Sequence, residues 1–75
     1  MNIRFLETFV WLAKLENFRL TAEKLHTTQA AVSSRIASLE EAFDVRLFDR
    51  NTRSATLTPA GRRMLAYAER IVRLD

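Results

Sequence analysis

The chain has no cysteine and a single histidine among its 75 residues, and these scarcities exclude several classes of protein. Without cysteine, no disulfide framework can hold the fold together. A catalytic nucleophile with its base, or a set of metal ligands, would need more than His26 provides. We therefore expect neither an enzyme nor a metal or cofactor site. His26 itself is expected to be a packed or hydrogen-bonded turn residue, with a phosphate contact as the alternative.

Long apolar runs are also absent. No stretch approaches the roughly 20 apolar residues that a membrane-spanning helix requires, although a hydrophobic content of 48% is too high for a disordered chain. The first residues lack the basic leader and apolar stretch of a secretory signal. These features predict one small cytoplasmic domain without membrane contact, whose core is marginal at this length and would gain from a partner subunit.

Positive charge is concentrated in the second part of the chain. Up to residue 45 there are five basic and six acidic residues, whereas seven arginines and three acidic residues follow. Guanidinium groups match phosphate oxygens and can enter a narrow minor groove. The cluster favours a polyanionic partner, although a charged face is often only solvated.

Hydrophobic residues at helical spacing predict three helices before the arginine-rich part. They cover residues 3–15, 18–25 and 28–43, with Asn2 and Thr28 as caps of the first and third. A sharp reversal at residues 26–27 separates the short second helix from the third, which is typical of a helix-turn-helix. The expected core residues are Ile3, Leu6, Phe9, Val10 and Ala13, then Phe18, Ala22 and Leu25, then Val32, Ile36, Leu39 and Phe43.

The outer face of the third helix carries short, almost uncharged side chains, which allows it to approach a partner closely. A helix of this kind fits the major groove of DNA, with its first residues reaching base edges. The residues expected to contact bases are Gln29, Ala30, Ser33 and Ser34, and Thr28 lies at the helix start, where a phosphate would bind. Glu40 and Glu41 would repel phosphates, so only the first half of this helix is expected to enter the groove. The alternative is an ordinary polar face of a helical bundle.

Two short alternating segments, residues 46–50 and 55–57, flank the turn-prone residues 51–54 and predict a two-stranded β wing. Arg50 and Arg53 would then project towards the flanking DNA backbone or minor groove. The alternative for each arginine is solvation or a salt bridge to a nearby aspartate. Beside a helix-turn-helix, the pair favours DNA.

A fourth helix begins at Thr58 as cap, with Pro59 at its first position. Met64, Ala68, Ile71 and Val72 form one apolar stripe on this helix, and Tyr67 and Leu74 widen it. Trp11 lies off the main stripe of the first helix, where it would form a seam with a second subunit. The alternative is that Trp11 is only a partly buried packing residue.

In their order and spacing, these motifs resemble the N-terminal DNA-binding domain of LysR-type transcriptional regulators. The resemblance covers essentially the whole chain and is strongest at residues 22–33, 45–48 and 57–61. It implies a mainly α fold. Residues 1–58 would form a winged helix-turn-helix of three helices and a two-stranded β wing, and residues 59–75 would begin a long linker helix.

The resemblance also implies partners. The linker helix would pair with its counterpart in a homodimer, and the alternative is that it packs only on the first helix of its own chain. The dimer contacts would be Trp11, Met64, Tyr67, Ala68, Ile71 and Val72. Two recognition helices would then read an interrupted palindrome in double-stranded DNA, with half-sites about one helical turn apart. A small-molecule effector is expected to bind a C-terminal domain that this chain lacks. RNA polymerase is a possible further partner of such a bacterial regulator, which would be nucleoid-associated.

Three departures from the family pattern affect the expectations. Ala30 stands where the family often has proline, and it suits a helix start. The family's arginine after the serine is replaced by Ser34, and the positive charge moves to Arg35, on the flank of the helix, where a phosphate contact is expected. Asp44 stands where glycine is common; if its backbone is left-handed, glycine should be more stable by about 1 kcal/mol.

Two other functions remain as alternatives. A winged helix used for protein association would need an apolar outer face on the third helix, which the polar residues there do not provide. An RNA-binding module is less favoured, because the deep, narrow major groove of RNA does not admit a helix.

Overall fold

The chain forms four α-helices within the residues that its computed structural model describes, 2–51 and 54–73. They are α1 (Ile3–Leu15), α2 (Phe18–Lys24), α3 (Gln29–Phe43) and α4 (Pro59–Ile71). The predicted helices are confirmed, with α2 one residue shorter than expected. Within the described residues α4 ends at Ile71, and Val72 takes an extended backbone conformation and buries its side chain. The longer linker helix expected to begin in residues 59–75 stays a prediction.

Each helix begins at a polar residue whose side chain accepts a hydrogen bond from a backbone N–H of the first turn. These residues are Asn2, Asn17, Thr28 and Thr58. The first N–H groups of a helix have no partner within it, so such caps fix where each helix starts. At the other end of α3, Asp44 is left-handed, with φ 54° and ψ 44°, which confirms the condition for the expected glycine preference.

α1 lies at the centre of the fold because it contacts α2, α3 and α4. A helix covered by three neighbours buries more than one stripe, and Leu12, which lies off the predicted stripe, is completely buried. The prediction that Ile3 belongs to the core was wrong, because it stands at the first position of α1 and is 48% exposed. The buried apolar residues are Leu6, Phe9, Val10, Leu12, Ala22, Val32, Ile36, Leu39, Leu47, Phe48, Ala55, Ala68 and Val72, with Ala13, Phe18 and Phe43 partly buried against them.

Residues 46–57, here called the wing segment, do not form the predicted two-stranded wing. Outside residues 52–53, which the structure does not describe, it has one isolated antiparallel bridge between Phe48 and Leu57. Backbone hydrogen bonds flank this bridge, from Asp49 N–H to the Thr56 carbonyl and from Thr58 N–H to the Leu47 carbonyl. Other backbone N–H groups of the segment bind α3 and the end of α1. The N–H groups of Leu47 and Phe48 donate to the Glu40 side chain, and that of Ala55 donates to the carbonyl of Glu16.

The wing segment is anchored by apolar packing and by α4. The Phe48 ring stands edge-on against Phe9, with centroids 5.6 Å apart, and Thr58 N–H donates to the Leu47 carbonyl at 3.0 Å. Gly61 lies so close to that carbonyl that a Cβ atom there would be 2.2 Å from the oxygen. The base of the wing segment is therefore fixed between α1, α3 and the start of α4.

Candidate nucleic-acid interface

The start of α3 is oriented by the turn that follows α2. His26 has a left-handed backbone, with φ 54°, and Thr27 N–H donates to the Ala22 carbonyl at 2.9 Å. Thr28 then caps α3 by accepting from Ala31 N–H at 3.0 Å. His26 is a hydrogen-bonded turn residue, as expected, because its backbone N–H donates to the Glu23 carbonyl, and its side chain is exposed. The turn thus determines the direction in which α3 presents its N-terminus.

The four residues predicted to contact bases lie together on the exposed side of α3. Gln29, Ala30, Ser33 and Ser34 are all exposed, and Ala37 and Ser38 continue the same side. Val32, Ile36 and Leu39 form the opposite, buried side. The exposed side is made of small and polar groups, so it lacks the apolar surface that a protein-association function would require. It can approach a polar partner such as a groove edge closely.

Arg35 lies on the flank of α3, and one of its guanidinium N–H groups is hydrogen-bonded to a residue of α1. Its Nη1 donates to Thr8 Oγ1 at 3.2 Å, and the buried Thr8 hydroxyl in turn donates to the Arg4 carbonyl at 2.8 Å. The Arg35 side chain is half-buried. Its guanidinium keeps further N–H donors beyond the one that binds Thr8, so this contact ties the arginine to α1 and leaves it able to reach a neighbouring phosphate.

Glu40 is the main correction to the predicted site. The sequence placed it on the outer part of α3, where it would repel phosphates, but only 7% of its side chain is exposed. Its Oε2 accepts from Leu47 N–H at 2.8 Å and from Phe48 N–H at 3.4 Å. Its Oε1 accepts from Arg50 Nη2 at 2.7 Å and lies 3.8 Å from Arg46 Nη1. A buried carboxylate needs such partners to offset its lost hydration.

The sequence does contain a signal for this burial. Glu40 follows Ile36 by four residues and Leu39 by one, so it lies at the edge of the buried stripe of α3. Glu41, its neighbour, is exposed. Two adjacent glutamates on one helix therefore face different surroundings, and helical spacing distinguishes them.

Arg50 is paired, but not with the aspartates that the sequence suggested. Its partner is Glu40, and 60% of the Arg50 side chain remains exposed. Arg46, which the sequence did not single out, lies on the same carboxylate and is also exposed. The second predicted wing arginine, Arg53, lies outside the described residues. The structure thus brings two exposed guanidinium groups together on one side of the C-terminal half of α3.

The predicted dimer contacts separate into an inner and an outer set. Ala68 and Val72 are buried in the core of their own chain, and Met64 is partly buried against it. These three residues therefore belong to the packing of α4 on α1. Trp11 is half-buried, with Lys24 Nζ 4.6 Å from the ring centroid. Tyr67 and Ile71 are 64% and 59% exposed and form the outer side of α4.

Residues 2–51 and 54–73 hold neither a membrane-spanning helix nor a cluster of metal ligands. No helix there combines the length and apolar character needed to cross a membrane. No group of three or more acidic or histidine side chains there is arranged to hold a metal ion.

Comparisons with known proteins agree with the geometry of α2, the turn and α3. Residues 3–62 match the family model described as bacterial regulatory helix-turn-helix protein, lysR family. An uncharacterized HTH-type transcriptional regulator in the ibpB-leuC intergenic region of Azotobacter vinelandii is 47% identical over 72 residues, which are 96% of this chain and 50% of that protein. The chain thus spans half the length of this relative.

Two solved structures with DNA are similar to the chain. The CbnR_DBD–DNA complex has a TM-score of 0.89 and 34% identity, covering 95% of this chain and 82% of that one. DarR of Vibrio fischeri in complex with DNA has a TM-score of 0.90 and 37% identity, covering 95% of this chain and 24% of that one. The similarity therefore extends over nearly all of the chain.

Proposed function

Because the chain belongs to the lysR family of bacterial helix-turn-helix regulators, we propose that it reads double-stranded DNA sequence-specifically, as part of a dimeric transcription regulator. It is a helix-turn-helix DNA-binding domain. The observation that carries the proposal is the exposed, small and polar side of α3, which begins at a capped turn and is supported from behind by α1 and α2.

Base contacts are assigned to the first half of α3. The Gln29 amide can donate to and accept from adenine at once, and the Ala30 methyl can pack on the methyl group of thymine. Ser33 and Ser34, one turn further on, can bond to bases or phosphates. All four are exposed on one side of the helix, as simultaneous contact with one groove requires.

Backbone contacts are assigned to groups that flank this surface. The N-terminal turn of α3, capped by Thr28, offers backbone N–H groups and the positive end of the helix dipole to a phosphate. Arg35 lies on the flank of the helix, and Arg50 projects from the wing segment. Arg53 is proposed for the same role from its place in the sequence. These contacts would hold the helix in register without reading the sequence.

A homodimer is proposed through the outer side of α4, where Tyr67 and Ile71 are exposed. A two-fold axis would place two recognition helices about one turn of DNA apart, which favours an interrupted palindrome as the target. The wider regulator would act in the cytoplasm on the nucleoid. Binding of a small-molecule effector to another domain, and contact with RNA polymerase, are proposals about that whole protein.

The test is a fluorescence-anisotropy titration against a pool of randomised duplexes, with the bound fraction enriched and sequenced at two salt concentrations. We expect an interrupted palindrome, with affinity that falls steeply as salt rises because bound phosphates release counterions. Weak binding at both salt concentrations without enrichment would contradict the proposal. It would favour the alternative function, protein association, to be tested with α3 as the interface.

A further inference from the structure

The Glu40 carboxylate links α3 to the base of the wing segment. One oxygen accepts from two consecutive backbone N–H groups, those of Leu47 and Phe48. The other accepts from Arg50 at 2.7 Å and lies 3.8 Å from Arg46. The carboxylate is thus fixed in place by the backbone on one side and holds guanidinium groups on the other.

One nitrogen of the Arg50 guanidinium binds Glu40, while most of the side chain remains exposed to solvent. Its side chain is 60% exposed, whereas that of Glu40 is 7% exposed. A guanidinium group carries five N–H donors in a rigid plane, and one of them is used by Glu40 in this contact. The remaining donors can bind phosphate oxygens while the first stays in place, so the two contacts are compatible.

We propose that Glu40 is a positioning residue for DNA binding, because its buried carboxylate holds Arg50 in the orientation in which the guanidinium meets a phosphate. The inference rests on the proposed function, since it concerns how that same surface is prepared for DNA. Glu40 acts through Arg50 and does not touch DNA itself.

A simple charge argument predicts the opposite effect. Replacing Glu40 by glutamine removes a negative charge near two arginines. The less neutralised arginines should by themselves attract phosphates more strongly. Positioning works the other way, because a long side chain that is not already ordered must lose its rotamer freedom when it binds. For one such side chain this loss corresponds to a rise of about 2- to 12-fold in Kd. The direction of the change therefore separates the two effects.

The experiment is a double-mutant cycle on DNA affinity, with the folded state of every variant checked by circular dichroism. The variants are Glu40→Gln, Arg50→Ala and the double variant. The probes are a fluorescein-labelled duplex of the enriched sequence and a random duplex of equal length. We expect Glu40→Gln to raise Kd by about 2- to 12-fold when Arg50 is present. When Arg50 is replaced by alanine, we expect it to leave Kd unchanged or to lower it, because only the loss of a negative charge remains.

Glu41→Gln is the matched control, because it makes the same change in net charge at the next, exposed position of α3. We expect it to leave Kd unchanged or to lower it. Tighter binding by Glu40→Gln, or the same loss with and without Arg50, would overturn the inference. The second of these results would mean that Glu40 only supports the fold.

If Glu40→Gln does not fold, the cycle is run with Glu40→Asp, which keeps the charge but withdraws it from Arg50 by one methylene group. The same dependence on Arg50 is then expected, and its absence would overturn the inference. Failure of the unmodified chain to bind either duplex would overturn the proposed function instead, and the inference with it. Binding by the unmodified chain with no dependence on Glu40 would leave the proposed function intact.

Discussion

Gly61 lies where the start of α4 meets the wing segment, and replacing it by alanine should destabilise the fold. An added Cβ would be 2.2 Å from the Leu47 carbonyl oxygen and 2.9 Å from Leu57 Cδ2. Both distances are shorter than 3.0 Å, a separation below which Cβ contacts are essentially never found. The oxygen belongs to the backbone, and it also accepts the hydrogen bond from Thr58 N–H. Relief of the clash would therefore move the wing segment away from α4.

The expected magnitude follows from two opposing contributions. Alanine is preferred to glycine inside a helix by about 1 kcal/mol. Overpacking of a filled site costs about 1–3 kcal/mol, occasionally more, and a contact with backbone belongs at the upper end of that range. The net loss should be about 2 kcal/mol, which corresponds to a fall in Tm of roughly 8–16 °C for a domain of this size.

Thermal unfolding followed by circular dichroism measures the effect. The matched control is Ala66→Gly, an exposed position of the same helix, where helix propensity alone should lower stability by about 1 kcal/mol. If Gly61→Ala raised Tm, propensity would outweigh packing at this position. The close approach of α4 to the Leu47 carbonyl would then be refuted.

Four further substitutions test other parts of the structure. Asp44→Gly should raise Tm by roughly 4–8 °C, because a left-handed residue without Cβ gains about 1 kcal/mol; a fall would contradict the left-handed conformation. Thr28→Ala should lower the free energy of unfolding, measured by urea denaturation, by about 1 kcal/mol because the α3 cap is lost. Gln29→Ala should reduce discrimination between enriched and random duplexes by about 1–3 kcal/mol in competition titrations. Arg53→Ala should weaken both duplexes alike and lower the salt slope by about one unit; equal effects of the last two would refute their division of roles.

The helices were predictable because their signals are local. Asn2 and Thr28 were expected as caps, and both accept a backbone hydrogen bond there. The stripe of Val32, Ile36 and Leu39 is buried as its spacing predicts. In each case the residues that decide the structure lie within a turn or two of one another, so sequence order is also spatial order.

The wing failed as a prediction for the opposite reason. Alternation in residues 46–57 indicates extended backbone, but it does not specify what the backbone groups bind. Asp49 N–H does bind the Thr56 carbonyl across the hairpin. Leu47 N–H instead binds the Glu40 side chain of α3, and Ala55 N–H binds the Glu16 carbonyl at the end of α1. Since every backbone N–H needs a partner and these partners come from other elements, the local pattern alone cannot predict them.

The two apolar sides of α4 show a further limit of periodicity. One apolar stripe on a helix predicts one buried face, but α4 has apolar residues on two sides. Ala68 and Val72 are buried in the core, whereas Tyr67 and Ile71 are exposed. The inner pair is explained by the fold of this chain alone, and the outer pair is not.

Large apolar side chains left at the surface of a domain with a marginal core mark where a second copy would add the most buried area. The proposed dimer contact therefore rests on Tyr67 and Ile71, and substitutions there should weaken dimerisation without the loss of stability that substitutions at Ala68 would cause.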